Sequence, residues 1–346
     1  MPYKSTAIFE RPHITIAYSY ATRMWLISLY AAAAVAQSAL GDGGKSFYVA
    51  VAALSAALLS EFLVGLKTGR HTVLDGSAAA SAMVLTLLLP NGIPPVLAAA
   101  GAAFAIIMVK IVFGGLGANW LNPAVSGWLF VRFSWSAAFS EATANTPVSF
   151  LADRVVNGDD AGLAWEILNQ NGFITGVNKL TQVFNNTVFS IFNKELPSGY
   201  LDFFAAPGPG IIGDRGMYAL LLGSVVIIAL ELSRFSVSIV YLAVYLLLTK
   251  IAGALPSGGQ FGEGDIFFCL FSGGTLITAF LLLTDPATSP KSGFGKIMFA
   301  VLAAFLSFFF RYIENEPYGA FFAIALLNTL SPLVRTAESR YIYTGG

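Results

Sequence analysis

Four acidic residues lie within or at the ends of long apolar segments: Glu61, Asp75, Glu231 and Asp285. A carboxylate at membrane depth is costly, so each is a candidate for ion transport or proton transfer. Glu61 and Glu231 lie deepest, and Glu61 is the stronger candidate for an ion path, although neither has a recognisable partner at a fixed spacing. Asp75 and Asp285 lie at predicted helix ends, where an acidic residue can equally serve as a cap. The sequence leaves capping and ion transport open for these two.

Other spacings that could carry chemistry fail on their context. Gly208–Gly213 fits the pattern G-x-G-x-x-G, but it contains a proline and follows Phe203–Pro207 rather than a strand. The two histidines, His13 and His71, are both predicted near one membrane surface, which excludes bis-histidine haem ligation within the membrane. A single cysteine, Cys269, excludes a disulfide framework and a cysteine-ligated cluster within this chain. We therefore predict no metal site, and redox chemistry here would need an organic cofactor or the metal centre of a partner.

The composition indicates an integral membrane protein. The chain has 346 residues, of which 56% are hydrophobic and 11% are charged, whereas about 25% of residues are charged in a soluble domain. Its 19 basic residues balance 19 acidic ones, so nothing indicates nucleic-acid binding. The expected surroundings of the chain are therefore the lipid bilayer.

A membrane-spanning helix needs about 20 apolar residues. Ten segments fit this requirement: 24–40, 46–66, 73–90, 95–113, 122–139, 216–233, 235–254, 265–284, 296–312 and 317–335. We predict an all-α fold of about ten spans, with an N-terminal membrane half at 1–140, a polar insertion at 141–213 and a C-terminal membrane half at 214–346. The third, fifth and eighth spans are short or rich in Gly, Ser and Thr, so we expect some of them to be interrupted.

The distribution of basic residues predicts the orientation. Lysines and arginines concentrate in the N-terminal tail and in alternate short loops, and such residues favour the cytoplasmic side. This places both termini in the cytoplasm and the insertion at 141–213 outside.

Two segments of similar pattern occupy the third position of each half. Residues 83–90 and 277–286 both end a helix of small and apolar residues at a proline. Because each half has five spans, the halves would be inverted repeats, and matched interrupted helices favour a site near the membrane midplane. The alternative is that leucine-rich helices resemble one another without a repeat.

Four segments in this order resemble one known family. They are Leu74–Ala80, Leu85–Pro90, Phe113–Ala124 and Thr284–Pro290. Together they resemble the D subunit of the Rnf electron-transport complex, which is homologous to the B subunit of the sodium-translocating NADH:quinone reductase. The resemblance covers nearly all spans, and the short N-terminal region is more similar to that of the Rnf protein.

The resemblance implies a covalently bound FMN. In this family the FMN phosphate is joined to a threonine within the pattern Ser/Thr-Gly-Ala-Thr, and Thr146 occupies that position here. Ala144 and Asn145 replace the usual Gly and Ala, and Ser140 stands where an acidic residue is expected. Without a flavin, Asn145 and Pro147 would form an ordinary turn. The resemblance also allows a second flavin, or riboflavin, whose position the sequence does not specify.

The function implied by the resemblance is that of a flavin-carrying subunit in the bacterial cytoplasmic (inner) membrane. It would transfer electrons in an ion-translocating ferredoxin:NAD⁺ oxidoreductase coupled to Na⁺ or H⁺ transport, and it would not be active alone. Its expected partners are other membrane and peripheral subunits, including a second flavin subunit and iron–sulfur subunits. The alternatives are the B subunit of the homologous quinone reductase and, in a different class, a small-solute channel or transporter with inverted repeats.

Overall fold

A computed structural model describes residues 19–69, 72–115, 117–143, 179–192, 210–230, 235–257, 259–290 and 292–344. In the first half the helices are α1 Tyr20–Gly41, α2 Lys45–Thr68, α3 Ser77–Leu88, α4 Pro95–Phe104, α5 Pro123–Ser134 and α6 Ser136–Thr143. The central segment contains α7 Lys179–Thr187. The second half contains α8 Ile212–Arg215, α9 Met217–Ala229, α10 Phe235–Ala252, α11 Ile266–Phe271, α12 Thr275–Ile277, α13 Gly293–Phe308 and α14 Gly319–Thr344.

Five of these helices are long and apolar enough to cross a membrane: Tyr20–Gly41, Lys45–Thr68, Phe235–Ala252, Gly293–Ile313 and Gly319–Thr336. The other predicted spans coincide with shorter or interrupted apolar helices. The prediction of an all-α membrane protein is thereby confirmed. The boundaries of its three regions and the side of the membrane that each faces stay predictions.

The third and eighth spans are interrupted, as the sequence predicted. A short 3₁₀ turn, Val73–Asp75, precedes α3, and Gly76 between them has φ 74°. In the eighth span, α11 and α12 are separated at Ser272–Gly274, where Gly273 has φ 66°. Left-handed backbone of this kind is readily adopted by glycine, which has no Cβ. The fifth span is interrupted at Trp135, between α5 and α6.

Packing follows the same pattern in both halves. Helix α2 packs along α4, and α10 packs along α13 in the second half. The fourth span of each half ends in a π-helical segment, Ala105–Ile111 after α4 and Phe309–Ile313 after α13. Each of these segments buries one basic residue, Lys110 in the first and Arg311 in the second. These matched features fit the inverted repeat that the sequence suggested.

Both interrupted spans contribute buried helices to the core of the fold. Helix α3 is almost wholly buried, and so are α12 and its π-helical continuation, Thr278–Leu282. The segment before α9 joins them: the Ile212 N–H donates to the Leu89 carbonyl at 2.9 Å. At Gly213, a Cβ would lie 2.9 Å from the Leu87 carbonyl oxygen. The absence of a side chain at Gly213 therefore permits this close approach between the halves.

Candidate functional site

A buried ion-pair cluster lies between α2, the fourth span and the start of the third span. The Lys110 ammonium donates to Glu61 Oε1, and its Nζ lies 3.6 Å from Asp75 Oδ1. The side chains of Lys110 and Glu61 are only 3% and 1% exposed. Thr72 also donates its hydroxyl to Glu61 Oε1, at 2.5 Å. Glu61 therefore has two partners that its sequence position did not reveal.

The local structure places these groups below the surface. Glu61 stands seven residues before the end of α2 at Thr68, which is about 10 Å along the helix axis at 1.5 Å per residue. Lys110 lies in the π-helical segment, where the extra residue in the turn changes the direction of the side chain relative to a regular helix. Such π-helical turns occur frequently at functional sites.

One carboxylate oxygen in this cluster is unused. Glu61 Oε2 is buried and has no hydrogen-bond partner within the part of the chain that the structure describes. Buried polar atoms nearly always have partners, so an orphaned oxygen calls for a water molecule or an ion. Two carboxylates also face one ammonium here, which makes the cluster suitable for a cation.

Asp75 caps a helix as well as joining the ion-pair cluster. Its Oδ1 accepts the Ser77 N–H at 2.8 Å and the Ser77 hydroxyl at 2.5 Å. The Trp25 indole donates to the Leu74 carbonyl at 3.2 Å and covers this turn. Asp75 therefore bonds the start of α3, as a cap would, and a part in ion transport stays a prediction.

Asp285 joins the two halves of the molecule. Its Oδ2 accepts from the Asn122 amide at 3.1 Å, and its Oδ1 accepts the Ala287 N–H at 3.0 Å. Asn122 also caps α5 by accepting the Ala124 N–H at 3.0 Å. Burial raises the pKa of Asp285, while its contacts with Ala287 and Asn122 oppose that rise. The role of Asn122 was missed at the sequence level, although an Asn-Pro pair before an apolar segment is a signal of a helix start.

A cavity of about 100 Å³ is lined by both Lys110 and Asp285. Its polar lining comes from both halves and comprises Tyr20, Arg23, Ser77, Ser81, Lys110, Asn119, Asn122, Thr284 and Asp285. A cavity of this size can hold several water molecules, and its polar walls can bind them. Lys110 lines the cavity and also donates to Glu61. The cavity therefore leads from Asp285 to the Lys110 side of the buried cluster.

A second charged cluster closes the break in the eighth span. The Asp214 carboxylate accepts the N–H groups of Gly273 and Gly274, each at 2.9 Å. Arg311 donates to the Ser272 carbonyl at 3.0 Å and to its hydroxyl at 2.6 Å. Burial raises the pKa of Asp214 to about 6, and the two glycine N–H groups, Arg215 and Arg311 limit the rise. The backbone groups at both sides of the break, the Ser272 carbonyl and the Gly273 and Gly274 N–H groups, are thus hydrogen-bonded by side chains.

Several predicted positions lie outside the described residues: Thr146, Glu231, His13 and His71. The flavin attachment at Thr146 therefore stays a prediction, and so does the placement of the other three. Among the residues that are described, no group of three or more His, Cys, Asp or Glu side chains is placed to hold a metal ion. Cys269 is buried, with its sulfur 3.2 Å from the Thr249 hydroxyl.

Comparison with known proteins finds relatives along nearly the whole chain. Residues 7–343 match the family model described as the NQR2, RnfD, RnfE family. The D subunit of the proton-translocating ferredoxin:NAD(+) oxidoreductase complex of Clostridium ljungdahlii is 28% identical, with 94% of this chain and 92% of the relative aligned. The D subunit of the Na(+)-translocating ferredoxin:NAD(+) oxidoreductase complex of Acetobacterium woodii is 27% identical over 97% of this chain and 94% of its own. The D subunit of the ion-translocating oxidoreductase complex of Shewanella denitrificans is 26% identical over 94% of this chain and 95% of its own.

Proposed function

Since the chain belongs to the NQR2, RnfD, RnfE family, we propose that it is the D subunit of an ion-translocating ferredoxin:NAD⁺ oxidoreductase in a bacterial membrane. The observation that carries this proposal is the end-to-end match to relatives that are named as D subunits of such complexes. The names of these relatives favour the Rnf protein over the homologous quinone-reductase subunit.

Covalent FMN at Thr146 is the central element of the proposed chemistry. Helix α6 ends at Thr143, which follows the fifth span directly and donates its hydroxyl to the Phe139 carbonyl at 2.9 Å. Thr143 is thus engaged in the helix, which favours Thr146 as the phosphoester acceptor. A bound flavin can accept one or two electrons and pass them on singly. The chain would hold that flavin beside the outer membrane surface, where it could not diffuse away.

The flavin proposal is tested on the denatured chain. We expect yellow-green fluorescence of the protein band under ultraviolet light and an intact mass that exceeds the sequence mass by one FMN phosphoester. Thr146→Ala should abolish both signals, whereas the control Thr143→Ala should retain them. Fluorescence that survives in Thr146→Ala would exclude this residue. The absence of a covalent flavin from the wild-type chain would instead favour non-covalent flavin or the transporter alternative.

Ion coupling is proposed to involve the path from Asp285 through the cavity to Lys110, Asp75 and Glu61. This proposal is supported by the orphaned Glu61 oxygen and by the polar lining contributed by both halves. The relatives do not settle the ion, because one is named for protons and another for Na⁺. In transporters with inverted repeats, ion sites lie at such an interface between halves.

The ion path is tested with the whole complex in proteoliposomes. During ferredoxin-dependent NAD⁺ reduction, ²²Na⁺ uptake and internal pH are recorded together. Glu61→Gln should reduce transport of the coupling ion per NADH formed, whereas the exposed control Glu141→Gln should not. An unchanged ratio in Glu61→Gln would remove this cluster from the path.

The remaining chemistry is assigned to other subunits. We infer that a second flavin subunit and iron–sulfur subunits supply the redox centres that connect ferredoxin and NAD⁺ to this chain. A second flavin, or riboflavin, in the chain itself remains part of the proposal. Both termini are proposed to be cytoplasmic, with 141–213 outside, on the basis of the Lys/Arg distribution.

A further inference from the structure

The central segment contains an amphipathic helix with exposed apolar side chains on one face. It comprises α7 and the 3₁₀ turn that follows it, Phe189–Phe192. Val183 is 59% exposed, Phe184 42% and Ile191 75%. Successive residues of an α-helix are about 100° apart, which places Val183 and Phe184 on one side together with Leu180 and Thr187. A group of exposed apolar side chains of this kind indicates an interaction surface.

The opposite side of the same helix is polar. Gln182 and Asn186 are exposed there, and Ser190 continues the polar side into the 3₁₀ turn. The single charged residue in positions 179–192 is Lys179. This separation of apolar and polar faces is typical of helices that lie in a membrane surface.

The position of the segment supports that interpretation. The Phe189 ring lies 6.2 Å from the Phe267 ring, with the two rings edge to face. Phe267 belongs to the first turn of α11, where the eighth span begins, and it is 44% exposed. An exposed phenylalanine at the start of a span faces lipid near the boundary between hydrocarbon and headgroups. The ring contact therefore places this segment beside the start of the eighth span, at the predicted level of the membrane surface.

We propose that residues 179–192 form an interfacial helix whose Val183, Phe184 and Ile191 side chains insert into the lipid acyl region beside the eighth span. Such helices bury their apolar face about 5–10 Å into the headgroup and acyl boundary. Continuity with the lipid-facing Phe267 favours lipid over a protein partner as the occupant. Residues 179–192 have no basic face that would bind anionic headgroups. Zwitterionic lipid should therefore be sufficient for the helix to insert. The inference does not depend on the flavin or on ion coupling.

The consequence concerns the insertion at 141–213. An interfacial helix attaches the middle of that insertion to the bilayer, so the insertion has a membrane contact of its own in addition to the two spans that flank it.

The test places an environment-sensitive fluorophore on each face of the helix in the intact complex. Dansylalanine is incorporated by codon suppression in place of Phe184 and, as the matched control, in place of Asn186. These residues are two positions apart and therefore about 200° apart around the helix. Each complex is reconstituted into nanodiscs of phosphatidylcholine, with or without bromine atoms on the acyl chains close to the glycerol.

Brominated lipid should quench the probe at position 184 strongly and the probe at position 186 weakly. Ile191 provides a second labelling position if the Phe184 variant does not assemble. Equal quenching on both faces overturns the proposal. A blue-shifted probe at 184 or 191 that brominated lipid does not quench also overturns it, because another subunit would then cover the face.

Discussion

Replacing Lys110 with methionine should destabilise the chain strongly. The substitution keeps an unbranched side chain but leaves Glu61 and Asp75 without their shared cation. Lys110 and Glu61 are almost fully buried, and Asp75 is 20% exposed, so water can compensate for the loss only in part. Breaking a buried ion pair from one side costs about 3–5 kcal/mol, because an uncompensated charge stays buried.

A double substitution separates the charge effect from lost packing. Glu61→Gln combined with Lys110→Met removes one carboxylate together with the ammonium, and Thr72 can still donate to the remaining amide oxygen. We expect the double variant to be more stable than Lys110→Met, and the interaction energy from the double-mutant cycle to be about 0.5–3 kcal/mol, as for other contacting residues. The exposed Lys67→Met in the same region should change stability by only about 0.5 kcal/mol.

The assay is unfolding of the purified full chain in sodium dodecyl sulfate, followed by circular dichroism, for the wild type and the variants. If Lys110→Met lowers the stability of the chain as little as Lys67→Met does, removing the ammonium does not leave an uncompensated buried charge, and the reasoning is refuted. If the double variant is as unstable as Lys110→Met alone, the loss comes from packing rather than from the carboxylate charge.

Two further substitutions test the second charged cluster. Gly273→Ala should destabilise the folded chain by about 1–3 kcal/mol. The φ of Gly273 is 66°, and a Cβ there would overlap Arg311 Nη1 and lie 2.5 Å from the Pro317 carbonyl oxygen. The control Gly115→Ala has φ 99° and open space around it, so it measures the backbone cost alone in the same unfolding assay. Burial raises the pKa of Asp214 from 3.8 to about 6, so the folded chain holds this proton more tightly than the unfolded chain does. The resulting stabilisation is full below pH 4 and is lost as pH rises through 6, and the total loss is at most about 3 kcal/mol. Asp214→Asn should flatten this pH dependence, and an unchanged pH profile in Asp214→Asn would assign the dependence to another group.

Hydropathy predicted the helices well because apolar length is a local property of the chain. The segment predicted at 46–66 is Lys45–Thr68, and the one predicted at 235–254 is Phe235–Ala252. The interruptions in the third and eighth spans were also predictable, since glycine and serine at those positions mark breaks in a helical pattern. The π-helical ends of the fourth and ninth spans could not be predicted, because a π-helical turn does not change the hydropathy of the segment.

The site depends on contacts between residues far apart in the chain. Glu61 was recognised from its depth, but its partner Lys110 is 49 residues away, and nothing in the sequence indicates this pairing. Asn122 and Asp285 are 163 residues apart. Spacing rules describe neighbours on one helix, so these contacts become visible only when the helices pack.

The two halves share a framework but not a charge balance. Each buries one basic residue at the π-helical end of its fourth span, Lys110 in the first half and Arg311 in the second. Glu61 stands seven residues before the end of α2, and the corresponding residue of α10 is Tyr245. The second half therefore lacks the acidic partner in its repeat, and Asp214, which precedes its first span, closes the break instead.

From this difference we expect separate roles for the two clusters. Both Asp214 oxygens accept backbone N–H groups, and Arg311 satisfies Ser272, so these groups hold the interrupted eighth span together. In the first half, Glu61 keeps an oxygen without a partner among the described residues. A cation would gain more from that oxygen than from a carboxylate already occupied by backbone groups. Ion binding in this protein should accordingly respond to substitutions in the first cluster, while substitutions in the second should act through the stability of the fold.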